Sequence, residues 1–142
     1  MTNIAVETTN FQVEKRGWLQ SQHGTEPGAV ASITLDISTF TAGTHYPNGY
    51  IPSGTALAKI TATGLYGPYA AGASDGRQTP ANGAFLLFSS VKAVNSQGTA
   101  LAKVGAAGFQ HGFVESARLP FSSGDGAAVA AVKTALPLIV WN

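Results

Sequence analysis

Glycine and proline interrupt most of this chain at short intervals, so few of its segments could form a long regular element. The 142 residues include 17 glycines and 7 prolines. The apolar runs that remain are short and rich in branched side chains, which is typical of strands rather than helices. At this length one domain with a real core is expected. The frequent glycines and prolines, with short branched apolar runs between them, therefore predict a single, mainly β domain.

Three segments predict strands most clearly. Residues Ser32–Ser38 (SITLDIS) alternate strictly between polar and apolar side chains, which indicates a strand buried on one face. Phe85–Phe88 (FLLF) is a continuous apolar run, typical of a strand covered on both faces. Leu138–Trp141 (LIVW) predicts a final strand, and a further one is expected around Phe113 and Val114.

One segment near the C-terminus predicts a helix. Ala127–Leu136 is rich in alanine, the best helix former, and Pro137 would end it. Either Ser123 or Asp125 is placed to cap its start. Together these elements predict a small β-barrel or β-clip-like domain over residues 29–142, with one short C-terminal helix. Residues 1–28, which are polar and broken by glycine, are predicted to form an extended N-terminal arm.

The hexapeptide GTALAK occurs twice, at Gly54–Lys59 and at Gly98–Lys103. It lacks the second glycine and the hydroxyl residue of a phosphate-binding loop, because Ile60 or Val104 follows each lysine. We interpret the two copies as two similar strands, each starting at a glycine turn. In the first copy, Ala56 and Ala58 would share one face.

Composition argues against several functions. Charged residues make up 11% of the chain, the net charge is +1, and basic residues are not clustered, so nucleic-acid binding is not expected. The chain has no cysteine, which excludes disulfides and thiol chemistry. We find no apolar run of signal-peptide or membrane-spanning kind and expect no membrane partner.

Catalytic motifs are also missing from the sequence. The three histidines, His23, His45 and His111, are isolated from one another and have no metal-ligand spacing. The GDGAAV segment at residues 124–129 lacks the third glycine of a dinucleotide fingerprint, and we interpret it as a turn into the helix. We therefore predict no enzyme activity, no catalytic residue, no metal site and no cofactor.

The N-terminal segment carries three large apolar residues, Phe11, Trp18 and Leu19. One interpretation is a tail whose tryptophan packs on its own domain. The other is an arm that docks on a partner, with Trp18 as the aromatic anchor.

Several stretches resemble the lambda-type head decoration (capsid cement) proteins of tailed bacteriophages. The similarity lies in Ile51–Gly54 (IPSG), the tyrosine-containing loop Tyr66–Tyr69, Asp75–Arg77 (DGR) and the strand Phe85–Val91, in that order. It extends over roughly residues 30–141. The resemblance implies a structural protein that is made in the bacterial cytoplasm and binds the outside of the expanded head as a homotrimer at three-fold and quasi-three-fold positions. Its partners would be the phage major capsid protein and its own copies, and the arm would add a strand to the capsid protein.

The loop tyrosines leave a second function open. Tyr46, Tyr50, Tyr66 and Tyr69 lie in glycine-rich loops, where aromatic rings can stack on sugars. They would then belong to a glycan- or host-surface-binding module on the virion. Under the decoration hypothesis, Tyr66 and Tyr69 are instead trimer or loop contacts.

Overall fold

The computed structural model describes residues 14–142, and within them short strands dominate. The prediction of a mainly β domain is confirmed. In chain order the strands are β1 (Ala31–Asp36), β2 (Tyr50–Ile51), β3 (Ala56–Lys59), β4 (Tyr66–Pro68), β5 (Ala84–Leu87), β6 (Val91–Lys92), β7 (Lys103–Phe109), β8 (Gly112–Val114) and β9 (Ile139–Trp141). Two short helices, α1 (Ala42–His45) and α2 (Ala130–Ala135), and three single 3-10 turns complete the elements of this region.

Five of the strands close into a barrel in the order β1-β4-β3-β5-β7. All neighbouring pairs are antiparallel except β1 and β4, which are parallel and meet at Leu35 and Tyr66. The longest pairing joins β1 to β7 and runs from Ala31 opposite Gly108 to Asp36 opposite Lys103. Two small sheets, β2–β6 and the parallel pair β8–β9, lie outside this ring.

The core has two parts, one on each face of the barrel wall. The first contains side chains from all five barrel strands, including Leu35, Leu57 and Leu87, and so fills the interior. The second covers the outer face of β3, β5 and β7 with Trp18 and with residues from β8, β9 and α2. Because both faces are covered, even the small residues Ala56 and Ala58 are fully buried.

The helix prediction was right in place but wrong in length. The helix α2 begins at Ala130, three residues later than predicted, and no side chain caps it. The cause lies in Gly126, whose carbonyl accepts from Ala56 N–H and whose N–H donates to the Tyr69 carbonyl. Because these bonds hold residue 126 against the barrel, the turn that contains it and residues 127–129 stay outside the helix.

The two copies of GTALAK differ in structure. The first forms β3, as predicted. In the second, residues 98–102 form a turn and an isolated bridge, and β7 begins only at Lys103. The prediction of two similar strands is therefore wrong for the second copy.

Candidate functional site

Trp18 lies in the core of its own domain. It is 1% exposed, and its ring packs edge-on against Phe109 at 5.3 Å between centroids. Its indole Nε1–H donates to Ser53 Oγ at 3.1 Å, and this hydroxyl donates to the Phe88 carbonyl. Of the two interpretations of Trp18, the structure supports packing within the domain, because a buried and hydrogen-bonded indole offers no surface to a partner.

The Ile51–Gly54 (IPSG) turn before β3 is shaped to receive this indole. Gly54 adopts φ +93°, and a Cβ added there would lie 2.9 Å from both Trp18 Nε1 and Pro120 Cδ. The Ser53 and Gly54 of the Ile51–Gly54 motif therefore have structural roles. One accepts a hydrogen bond from Trp18, and the other leaves space for its ring.

The segment around Leu19 continues the small β8–β9 sheet. Leu19 forms an antiparallel bridge with Val114. Gln20 N–H donates to the Phe113 carbonyl at 3.1 Å, and Glu115 N–H donates to the Trp18 carbonyl at 2.8 Å. Leu19 is half-buried and packs against the outer part of the core. The third residue predicted for the arm, Phe11, lies outside the described residues.

Packing begins earlier in the chain than the predicted boundary at residue 28. The Arg16 guanidinium lies 4.3 Å from the centroid of the Phe88 ring and donates to Ser89 Oγ. The Glu14 carboxylate accepts from both the backbone N–H and the hydroxyl of Ser90. Residues 14–20 thus belong to the packed domain, and a free arm would have to precede them.

The tyrosines differ in their accessibility. Tyr69 is 6% exposed, and its backbone joins Ala56 to Gly126, so it is not available for the trimer contact predicted for it. Tyr66 is half-buried against the Phe85 ring at 5.4 Å between centroids, and this burial raises the pKa of its hydroxyl. Tyr46 is buried in the barrel core, whereas Tyr50 keeps partial exposure.

Tyr46 and Tyr50 border an open groove of about 800 Å³. Lys92, which pairs with Tyr50, and the turn at residues 94–98 also line this groove. Because Tyr46 is buried, Tyr50 is the ring in this groove with a face available to a ligand.

The Asp75–Arg77 segment fastens the loop before β5. Arg77 Nε donates to both carboxylate oxygens of Asp75, at 3.1 and 3.0 Å, and its Nη1 donates to the Pro68 carbonyl. The Asp75 carbonyl accepts from Thr61 N–H. Burial raises the pKa of the Asp75 carboxyl, but hydrogen bonds and charge from Arg77 outweigh it and hold that pKa below its usual range.

One exposed apolar surface stands out, and we call its three residues Phe113, Leu138 and Val140 the β8–β9 surface. They are 39%, 59% and 49% exposed. Phe113 and Val140 are paired in register, so both point to the same side, and strand alternation places Leu138 there too. This surface was not predicted from the sequence. The sequence signal for it is the predicted strand Leu138–Trp141 (LIVW), in which the side chains on both faces are apolar although only one face packs on the core.

The histidines form two unlike groups. His45 is buried, its Nδ1 accepts from Thr41 N–H at 2.8 Å, and its Nε2 lies 3.0 Å from the Asp125 carbonyl. These bonds leave no free ring nitrogen, so His45 has a structural role. His23 and His111, distant in sequence, meet with their Nε2 atoms 3.0 Å apart at an accessible position. The two histidines are isolated in sequence, 88 positions apart, but the fold brings their rings into contact.

Glu26 completes the surroundings of this histidine pair. Its carboxylate accepts from Gly24 N–H at 3.0 Å. The pKa of the Glu26 carboxyl is below its usual range, chiefly because its own backbone N–H donates to it. Desolvation opposes this shift, while Gly24 N–H and the two nearby imidazoles add to it.

Within residues 14–142, no three His, Asp or Glu side chains lie close enough together to hold one metal ion. None of the helices in this range is long and apolar enough to cross a bilayer. The site that the described chain offers is therefore a set of surfaces: the β8–β9 surface, the histidine pair beside it and the tyrosine groove. In comparisons with known proteins, the chain matches no family model, no curated protein and no solved structure.

Proposed function

We propose that this chain is a structural capsid decoration protein of a tailed bacteriophage. It binds the outside of the expanded head as a trimer at three-fold and quasi-three-fold positions and stabilises the shell against internal DNA pressure. Its partners are the phage major capsid protein and its own copies, and its location is the outer surface of the virion. The observation that carries this proposal is the β8–β9 surface, taken with the sequence resemblance to capsid cement proteins.

Exposed apolar area of this kind favours a protein partner. Three large side chains lie side by side, and burying apolar area is worth about 25 cal/mol per Å². Contiguous exposed apolar patches are uncommon on monomeric proteins, and where they occur they often mark a site of interaction with another protein. The low charge of the chain, 11%, also suits a surface that works in contact with others.

The position of this surface points to the capsid protein as its occupant. Gln20 is hydrogen-bonded to Phe113, so the N-terminal segment runs along the same small sheet. Residues 1–13 join the domain at Glu14, close in sequence to this segment. If they pair with the capsid protein, as the resemblance implies, the β8–β9 surface lies beside the same partner. Trp18 then has a supporting role, because it fastens this segment to the domain.

Binding to empty expanded heads tests the proposal. We expect the purified protein to co-sediment with expanded heads of its phage and not with unexpanded ones, and to raise their disruption temperature, because binding to one state favours that state. The variant Leu138→Ser/Val140→Thr should bind at least about tenfold more weakly. Val129→Ser, which alters an exposed valine at the start of α2, is the matched control.

The results separate the two occupants of the surface. Failure of the wild-type protein to co-sediment with expanded heads would contradict the proposed function. If the double variant binds isolated capsid subunits normally but no longer trimerises, a second copy of this chain occupies the surface and the assignment to capsid protein is wrong.

A deletion locates the arm. Removing residues 1–13 should abolish head binding while the melting temperature of the domain stays close to wild type. Removing residues 1–24 should instead unfold the domain, because it removes the core residue Trp18. Full binding after deletion of residues 1–13 would refute an N-terminal arm.

The tyrosine groove favours a second candidate function, glycan or host-surface binding. Tyr50 offers a partly exposed ring, and Asn48, Asn95 and Gln97 supply amide groups around it. Glycan-array binding by wild type that Tyr50→Ala removes would support this function. Head binding without any glycan signal would argue against it.

A further inference from the structure

The chain carries the dipeptide His-Gly twice, and the fold packs the two copies against each other. Gly24 and Gly112 have φ values of +85° and +147°, which disfavour other residues. A Cβ at Gly24 would overlap the His111 carbonyl, and one at Gly112 would lie 2.6 Å from the His23 carbonyl. Each glycine thus lies on the backbone of the other histidine. This reciprocal contact holds the two histidine backbones at a fixed distance.

The two rings are close enough for both to bind one ion. The Nε2 atoms are 3.0 Å apart, the ring centroids are 4.5 Å apart, and the ring planes are nearly perpendicular. In a straight hydrogen bond of this length, with each ring centre about 1.15 Å behind its nitrogen, the centroids would be about 5.3 Å apart. The shorter centroid distance shows that at least one ring is tilted off this line, as it is when both Nε2 atoms face a shared position beside it.

The two distances agree with a particular coordination angle. Two imidazole nitrogens at about 2.1 Å from one ion and at right angles are about 3.0 Å apart, with centroids about 4.6 Å apart. A tetrahedral angle would require about 3.4 Å and about 5.3 Å. The two observed distances match those expected for a right angle between the ligands. That angle is typical of tetragonal Cu²⁺ and Ni²⁺ sites rather than of structural zinc.

We propose that His23 and His111 form a surface site for a divalent transition-metal ion of tetragonal preference, Cu²⁺ or Ni²⁺. The two Nε2 atoms occupy adjacent coordination positions, and water occupies the others. Both histidines are accessible to solvent, so an ion can enter without any change of fold. The Glu26 carboxylate, which accepts from the N–H of Gly24 next to His23, adds negative charge that favours a cation.

A bound ion would fasten the loop at residues 22–26 to the start of β8. The His23 ring also lies 6.1 Å from the Phe113 ring, so the site adjoins the β8–β9 surface. The metal site does not depend on the proposed capsid function, because it rests on the geometry of the two His-Gly dipeptides alone.

Calorimetric titration of the full chain with CuCl₂, NiCl₂ and ZnCl₂ at neutral pH tests the site. We expect one Cu²⁺ per chain, with Ni²⁺ and Zn²⁺ bound more weakly, in keeping with the general affinity order. His23→Ala and His111→Ala should each weaken Cu²⁺ binding by about tenfold or more, since each removes one of two protein ligands. Gln22→Ala, a change at an exposed neighbour, should leave binding unchanged.

Spectroscopy of the wild-type chain provides a second measurement that needs no variant. The electron paramagnetic resonance spectrum of the Cu²⁺ complex should show two equivalent imidazole nitrogens in a tetragonal field. Unchanged Cu²⁺ affinity in both histidine variants, or a spectrum with a single imidazole nitrogen, would overturn the proposal.

Discussion

The two copies of GTALAK have the same six residues and different structures. In the first copy Ala56–Lys59 forms β3, between β4 and β5, and Ala56, Leu57 and Ala58 are completely buried. In the second copy Ala100 only bridges Val94, and Ala102 is exposed.

The difference lies in what surrounds each copy. The first has a strand on either side and core on both faces, so its backbone is paired on both sides and the side chains of Ala56, Leu57 and Ala58 are buried. The second lies at one end of the closed barrel, before β7, where Leu101 N–H donates to the Ala93 carbonyl and Ile37 N–H donates to the Ala102 carbonyl. Neighbouring strands, rather than the propensity of the hexapeptide, therefore decide whether the hexapeptide forms a strand.

Truncation of the matching leucines should give the largest contrast. Leu57→Ala should lower the free energy of unfolding by about 3 kcal/mol, because it leaves a cavity in the barrel interior. Leu101→Ala should cost about 1 kcal/mol, since this side chain is only half-buried. Urea denaturation of both variants measures the difference. Equal losses would show that the two copies are energetically equivalent after all.

The matching glycines should give a smaller contrast. Gly54 and Gly98 both have positive φ, so alanine at either position costs about 1 kcal/mol in backbone strain. At Gly54 the added methyl also meets Trp18 and Pro120, whereas nothing lies within 4 Å of it at Gly98. We expect about 2 kcal/mol or more for Gly54→Ala and about 1 kcal/mol for Gly98→Ala. Thermal melting of the pair is the check, and a more stable Gly54→Ala variant would contradict the packing of Trp18.

The smallest effect should come from Asp75, whose backbone carbonyl holds Thr61 after the first copy and whose carboxylate pairs with Arg77. Because the folded pKa of the Asp75 carboxyl is lowered, its contribution is present above the unfolded value of about 3.9 and is lost as pH falls through the folded value. Asp75→Asn should therefore be less stable than wild type by under about 1 kcal/mol at neutral pH, and the difference should shrink in acid. A difference that is constant with pH would exclude the carboxylate as its cause.

Local pattern predicted the strands well where side chains alternate or cluster. The alternation in Ser32–Ser38 predicted β1, which ends at Asp36 because that carboxylate accepts from Ser38 N–H and starts a 3-10 turn. The apolar runs predicted β5 and β9 to within a residue at each end. Strand β4 was missed, because its sequence Tyr-Gly-Pro reads as a turn and only its pairing with β3 makes it a strand.

The candidate sites were less predictable, because they join residues distant in sequence. Trp18 and Ser53 are 35 positions apart, and His23 and His111 are 88 apart. No local spacing rule connects such pairs. The repeated His-Gly dipeptide was the one visible signal for the histidines, and it has meaning only once the two backbones are in contact.

The sequence by itself determined the mainly β class, the short elements and the positions of most strands, because glycine and proline limit segment length and side-chain period selects the strand. It also determined that the chain carries little charge and no thiol chemistry. Only the tertiary structure decided that Trp18 is buried, that one GTALAK is a strand and the other is not, and that Phe113, Leu138 and Val140 share an exposed surface. Those outcomes depend on long-range contacts, whose free energy exceeds the weak local preferences of the segments involved.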